Sequence, residues 1–262
     1  MNFFIDLSDK RNNYIANSLS NIGHTVIKHD FENNQGTAGD GFIFSPAKKF
    51  SLTEIERFPS GVIVFAGNLT EELKYILNKK NIKHINLLND ENFVIKNAKL
   101  TAEGVLALMI GCTGKSIFEN KILILGSGRV GLAIASLLNK LTVNSDFAIF
   151  HNDKFAIASF YCNKVVFKDE LPNEIGKYDI IINTVPAKIL DDEILNKINK
   201  KASILEIASV NCLNKDLLNL YTFNYILAPA LPQVYSAESA GTIMLESILK
   251  QLSNLKNNDY CK

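Results

Sequence analysis

Apolar residues recur along this chain with two alternating periods. Short runs rich in β-forming residues at 2–6, 25–29, 41–45, 62–66 and 82–88 read as strands. Between them, apolar residues return every three or four positions, which predicts helices at 11–22, 51–58 and 70–80. The first helix carries Tyr14, Ile15, Leu19 and Ile22 at helical spacing, has Asp9 or Ser8 to cap it, and stops at Gly23. The second starts on Ser51 with Glu54 in capping-box position, and the third starts on Thr70. Residues 32–41 are a polar, glycine-bearing loop. This alternation over the first 90 or so residues is the pattern of a parallel α/β layer.

A second series follows an apolar helix at 99–111, which opens on Thr101-Ala102-Glu103-Gly104. Strands are predicted at 121–125, 147–150, 164–167, 178–183, 203–207 and 224–228, with a helix at 191–198. A final amphipathic helix covers 236–252, with Ile243, Met244, Ile248, Leu249 and Leu252 on its apolar face. Two such series predict two α/β lobes with a cleft between them. Ligands of open parallel sheets bind outside the carboxyl ends of the strands, so the residues just after each strand are the candidates.

The sharpest of these is Gly126-Ser127-Gly128-Arg129-Val130-Gly131, a G-x-G-x-x-G between the strand 121–125 and a helix carrying Leu132, Ile134, Ala135, Leu137, Leu138 and Leu141. This is the order of the first βα turn of a dinucleotide-binding fold. Gly126 suits the tight turn, Gly128 the approach of a pyrophosphate, and Gly131 the close packing of helix on strand. The helix N-terminus offers N–H groups to phosphate. After the next strand come His151-Asn152-Asp153-Lys154. No acid stands directly at that strand end. Asn152 and Lys154 suit a 2′-phosphate, which favours NADP, while Asp153 keeps NAD open. Asn183-Thr184-Val185-Pro186 follows the fourth strand and is placed on the nicotinamide side, or else caps the helix that follows. Ser209 ends the next strand. Pro229 and Pro232 predict a rigid, irregular loop. In the first lobe, Arg11 after the first strand suits a substrate carboxylate, or is a solvated charge on a helix. Glu103 and Ser209 are the candidates for acid–base chemistry, Glu103 being as well explained by the helix dipole.

Composition narrows the rest. Lys and Arg number 28 against 27 Asp and Glu, so no basic field argues for nucleic acid. No apolar run reaches the length of a bilayer span, and the N-terminus does not read as a signal peptide, which predicts a cytoplasmic protein. Cys112, Cys162, Cys212 and Cys261 are far apart, and the four histidines lack ligand spacing; free thiols and no metal are expected.

These stretches together resemble the family of dipicolinate synthase A-subunits. The matching pieces are Asp9-Lys10-Arg11, Thr101-Ala102-Glu103-Gly104, the glycine turn, Ile182-Asn183-Thr184-Val185-Pro186, Leu205-Glu206-Ile207-Ala208-Ser209, Leu227-Ala228-Pro229-Ala230-Leu231-Pro232 and Ser239-Ala240-Gly241-Thr242-Ile243. The resemblance implies two Rossmann-like domains, residues 1–96 with 236–262 and residues 97–235, the C-terminal helix returning to the first. It implies an NADP-dependent oxidoreductase of sporulation that makes dipicolinate from hydroxytetrahydrodipicolinate by dehydration and oxidation. It further implies a small dicarboxylate substrate held by Asp9, Arg11, Thr101, Ser209 and Pro229, a homo-oligomer, and a flavoprotein-like second subunit. Two departures stand out. The family pattern continues Arg-Pro-Gly where this chain has Val210-Asn211-Cys212, and its Gly-Leu-Pro-Gly is Ala230-Leu231-Pro232-Gln233 here. A non-catalytic NADP-binding subunit or sensor, and a shikimate-dehydrogenase-like enzyme, are the alternative readings.

Overall fold

The computed structural model describes residues 1–32, 36–209 and 221–259. They divide into two compact units, Met1–Asn97 with Ser236–Lys262, and Ala98–Tyr235.

The first unit is built on five parallel strands, β1 (Asn2–Ile5), β2 (Thr25–Lys28), β3 (Gly41–Ile43), β4 (Ile63–Ala66) and β5 (Lys83–Asn86), in the order β2-β1-β3-β4-β5. Successive side chains alternate between the two faces. Phe4, Phe42 and Val64 enter one core with Phe44, Phe58 and Leu73. Phe3, Ile43 and Phe65 enter the other with Ile15, Leu19, Met244 and Ile248. The helices α1 (Lys10–Asn21), α2 (Leu52–Glu56) and α3 (Glu71–Lys79) start where the capping residues predict. Asp9 accepts from the Arg11 N–H, Ser51 and Glu54 form a complete capping box, and Thr70 accepts from the Leu73 N–H. Gly23 follows α1 at φ +87°, a backbone that favours glycine.

Helix α4 (Glu91–Cys112) begins eight residues before the apolar pattern suggests. Its first turns bury only Phe93 and Ala98, too few to read as a period. Their start is set by Asp90, whose carboxylate accepts from the Asn92 N–H (3.2 Å), from Ser247 Oγ (2.8 Å) and from Lys250 Nζ (3.3 Å). Burial pushes the Asp90 carboxyl up, but these donors hold it below the usual carboxylate range. The C-terminal helix (Ala237–Asp259) also runs past its predicted end. It packs on α1 through Gly241, where a Cβ would lie 2.7 Å from the Arg11 carbonyl oxygen.

The second unit holds six parallel strands, β6 (Ile122–Leu125), β7 (Ser145–Ile149), β8 (Val165–Phe167), β9 (Ile180–Asn183), β10 (Ser203–Glu206) and β11 (Asn224–Leu227), ordered β11-β10-β9-β6-β7-β8. This is the doubly wound order, with the direction of winding reversing between β6 and β9. The central strands β6, β9 and β10 are buried along their whole length. Helix α5 (Arg129–Lys140) covers one face with Ile134, Ala135 and Leu138. The other face is closed by Leu171, Ile194 and Leu195, from α7 (Leu171–Glu174) and α8 (Asp192–Lys197, capped by Asp191). The short helices α6 (Phe155–Ser159) and α7 span four or five residues, too few to show a period. Of the stretch predicted as an irregular proline loop, Pro229 and Ala230 form a turn, while Leu231 and Pro232 open helix α9 (Leu231–Tyr235). Pro232 sits in its first turn, where a missing N–H costs nothing. Gly104 of α4 faces it: a Cβ there would lie 2.8 Å from Leu231 Cβ. Among the described residues no helix is long and apolar enough to cross a membrane, no cluster of His, Cys, Asp and Glu is arranged to hold a metal, and Cys112 and Cys162 are free. Cys212 and Cys261 lie outside the described residues.

One buried base gives the first unit a pH dependence. His29 is ringed by Phe31, Phe44 and Phe42 at centroid distances of 4.3, 4.8 and 5.5 Å, and among the described residues neither ring nitrogen has a hydrogen-bond partner. Burial lowers its pKa from 6.5 to about 4, with Lys48 adding to the effect and Asp6, Asp30 and Glu54 opposing it. The native state therefore holds His29 neutral while the unfolded chain protonates near 6.5. Stability from this group is complete above pH 6.5 and drains as pH falls toward 4, by on the order of 3 kcal/mol. Urea unfolding at pH 7 and pH 5 should show this fall in wild type and a shallower one in His29→Phe. Equal slopes in the two would contradict the assignment.

Candidate functional site

The glycine turn of the second unit separates three roles. Gly126 has φ +93°, and a Cβ there would meet Val185 Cγ2 at 2.6 Å and Thr184 Oγ1 at 3.0 Å. Gly131 lies so close to the end of β6 that a Cβ would stand 2.0 Å from the Gly126 carbonyl oxygen. These two glycines serve the chain's own packing. Gly128 does not. It is the N-cap of the 12-residue helix α5, and among the described residues no side chain caps that helix and a Cβ built on it meets nothing within 4 Å. Open space thus lies beside the positive end of a helix whose first N–H groups lack intrahelical partners. That geometry fits an anionic group such as a pyrophosphate. Ser127 is buried, Arg129 exposed and Val130 half-buried.

The turn after β9 is clamped to this one. Thr184 donates from Oγ1 to the carbonyls of Leu125 (2.8 Å) and Gly126 (3.2 Å), and from its N–H to Leu125 (3.1 Å). Asn183, fully buried, accepts the Val185 N–H on Oδ1 (3.0 Å) and donates from Nδ2 to the Val185 carbonyl (3.2 Å). The same Nδ2 donates to Glu206 Oε1 at 2.8 Å. Glu206 is the last residue of β10 and is 0% exposed. It also accepts from the Ala208 N–H (3.2 Å) and from Tyr225 Oη (3.2 Å). Pro186 is exposed.

After β7, residues 151–154 are all exposed, with Asn152–Lys154 forming a single 3₁₀ turn. Lys154 Nζ is 2.9 Å from Asp153 Oδ2, and that hydrogen bond holds the Asp153 carboxyl below its ordinary range. Beyond β10, Ser209 is exposed; Val210 and Asn211 lie outside the described residues. Beyond β11, Pro229 is exposed and Ala230 has φ +55°, a left-handed backbone that an alanine adopts at a cost. On α4, Thr101 is buried and Glu103 exposed.

In the first unit, Arg11 is neither a solvated charge nor a lone cation. It is buried against Asp9, with Nε 2.9 and 3.1 Å from the two carboxylate oxygens, Nη2 on Oδ2, and Nη2 3.1 Å from Ser45 Oγ. Burial pushes the Asp9 carboxyl up, and the Arg11 hydrogen bonds and charge more than reverse this. The structure therefore brings together the glycine turn with Asn183, Thr184 and Val185, and Asp9 with Arg11. Glu206 is the residue missed from the sequence. Its signal was an acid set between Leu205 and Ile207 in the strand predicted at 203–207.

No protein-family model matches the chain. Over 228 residues it is 27% identical to the dipicolinate synthase A-subunit of Bacillus subtilis (strain 168), covering 84% of this chain and 76% of that protein. Its fold is similar to the crystal structure of the dipicolinate synthase A-subunit from Bacillus halodurans, with a TM-score of 0.85 at 20% identity over 96% of this chain and 97% of that one. More distantly, it shares the fold of an L-alanine dehydrogenase, with a TM-score of 0.65 at 12% identity over 98% and 90% of the two chains.

The two glycine contacts differ enough to be separated by stability. Gly131→Ala should destabilise the protein by ~1–3 kcal/mol, since backbone must shift to admit the methyl group, while Gly128→Ala should cost less than about 1 kcal/mol. Denaturant unfolding of both variants checks this, and equal losses would contradict it.

Proposed function

We propose, on the premise that the chain is a divergent member of the dipicolinate synthase A-subunit family, that it is an NADP-dependent oxidoreductase forming dipicolinate from a hydroxytetrahydrodipicolinate-type intermediate. The overall change is loss of water followed by loss of two hydrogens, one as hydride and one as a proton. A bound nicotinamide supplies the hydride acceptor. The observation that carries the reading is the fit at Gly128: open space at a helix N-terminus without a side-chain cap, between two glycines that the local packing requires. Residues 126–131 hold the pyrophosphate in this reading, and the 183–186 turn stands on the nicotinamide side. Asn152 and Lys154 take the 2′-phosphate, Lys154 exchanging its exposed Asp153 partner for it. Self-association, with a flavoprotein-like second subunit, belongs to the same reading.

A second reading, a dinucleotide-binding subunit or sensor without turnover, is favoured by one observation. Arg11, the first unit's candidate for a substrate carboxylate, already has its carboxylate in Asp9. Calorimetry with dipicolinate at saturating NADP separates the two. The enzyme reading expects binding by wild type and weaker binding by Arg11→Ala. No binding by wild type would favour the sensor.

The cofactor assignment has its own test. Gly128→Val should remain folded yet lose NADPH binding, because its side chain fills the open space. Lys154→Ala should weaken NADPH by ~1–3 kcal/mol and leave NADH nearly unchanged. Fluorescence titration reads both. Unchanged NADPH affinity in Gly128→Val would place the site elsewhere, and equal losses for the two cofactors would remove Lys154 from the 2′-phosphate.

A further inference from the structure

We infer that Glu206 is the positioning residue of the dinucleotide site, holding the Asn183 amide in the one orientation that seats the 183–186 turn against the glycine turn. The inference rests on the dinucleotide reading above and extends it to a residue that contacts neither turn's ligand-facing space directly.

Among the described residues, the Asn183 amide, the Ala208 N–H and the Tyr225 hydroxyl all donate to this fully buried carboxyl group. A carboxylate only accepts, so together with the Val185 N–H and carbonyl it favours one of the two near-isosteric orientations of the Asn183 amide. Nδ2 is drawn toward Glu206, which leaves Oδ1 to accept the Val185 N–H. With the amide reversed, Oδ1 would face a carboxylate oxygen at 2.8 Å and an NH₂ group would face the Val185 N–H. Both contacts are repulsive in a site that water does not reach. The next links are steric. Val185 Cγ2 occupies the space beside Gly126 where a Cβ would stand, and Thr184 is bonded to the carbonyls of Leu125 and Gly126. The ladder register places Glu206 beside Asn183 and Asn183 beside Leu125. A proton-acceptor choice made at the end of β10 is thereby transmitted, through β9, to the turn at the end of β6.

The test is a donor–acceptor exchange read by NADPH affinity, with the thermal midpoint measured in parallel. Glu206→Gln keeps the shape but offers an amide that can turn, so the Asn183 amide is held by Val185 alone; NADPH should bind several-fold more weakly with little change in midpoint. Asn183→Asp sets two carboxyl groups against each other. One must hold a proton, so NADPH binding should fall at least about tenfold at pH 8 and recover toward pH 6. Asn183→Asp combined with Glu206→Gln restores one donor facing one acceptor. The new amide at 206 then also meets the Ala208 N–H and the new carboxylate at 183 the Val185 carbonyl, so affinity should recover only part of the way from Asn183→Asp, and the pH dependence should be abolished. A site in which Glu206 serves folding alone would lose midpoint in step with affinity and show no pH-dependent recovery. Wild-type NADPH affinity in both folded single variants overturns the inference while leaving the dinucleotide reading intact. Failure of the wild type to bind NADPH or NADH overturns that reading and this inference with it.

Discussion

The second unit depends on how closely the first turn of α5 approaches the end of β6. The Gly131 Cα lies against the Gly126 carbonyl, with no room for a methyl group between them. That contact lets the helix lie flat on the sheet with Ile134, Ala135 and Leu138 in the core, and it aims the helix N-terminus at the space beside Gly128. Packing and the placement of the open helix N-terminus are thus set by one constraint. A bulkier residue at 131 would lift the helix, and the open N-terminus would lose its position along with the core contacts.

In the central strands β6, β9 and β10, polar side chains are confined to the strand ends, for a physical reason. The middle strands of a doubly wound sheet are buried on both faces, so a polar side chain there survives only where its hydrogen bonds can be completed. In the second unit this occurs at the carboxyl ends, where Asn183, Glu206 and Tyr225 complete one another. In the first unit Asp9, Arg11 and Ser45 do the same after β1 and β3. Such networks resist rearrangement, because any member left unpaired carries the full cost of desolvation.

Much of this was legible in the chain itself. The two α/β series, the three N-caps at Asp9, Ser51 and Thr70, and the βα turn at 121–131 all follow from local rules of period, capping and glycine placement. What escaped was set by tertiary context. The first turns of α4 carry a polar sequence and are helical because Asp90 is tied to Ser247 and Lys250, more than 150 positions away. The Pro229–Pro232 stretch reads as loop, yet Pro232 lands in a first helical turn and α9 packs on Gly104. Arg11 looked available until its neighbour two residues back was seen to consume it. Glu206 looked like an incidental acid in an apolar strand. Spacing along a chain does not reveal pairing across it.

The most direct measurement of the central claim is amide hydrogen exchange with and without NADPH. If the space beside Gly128 seats the dinucleotide, the N–H groups of residues 127–130 should slow markedly on addition of NADPH, with slower exchange also at Thr184 and Val185. The N–H groups on the opposite rim of the same sheet, at residues 144–146, should not change. Protection that spares residues 127–130, with NADPH demonstrably bound, would contradict the account.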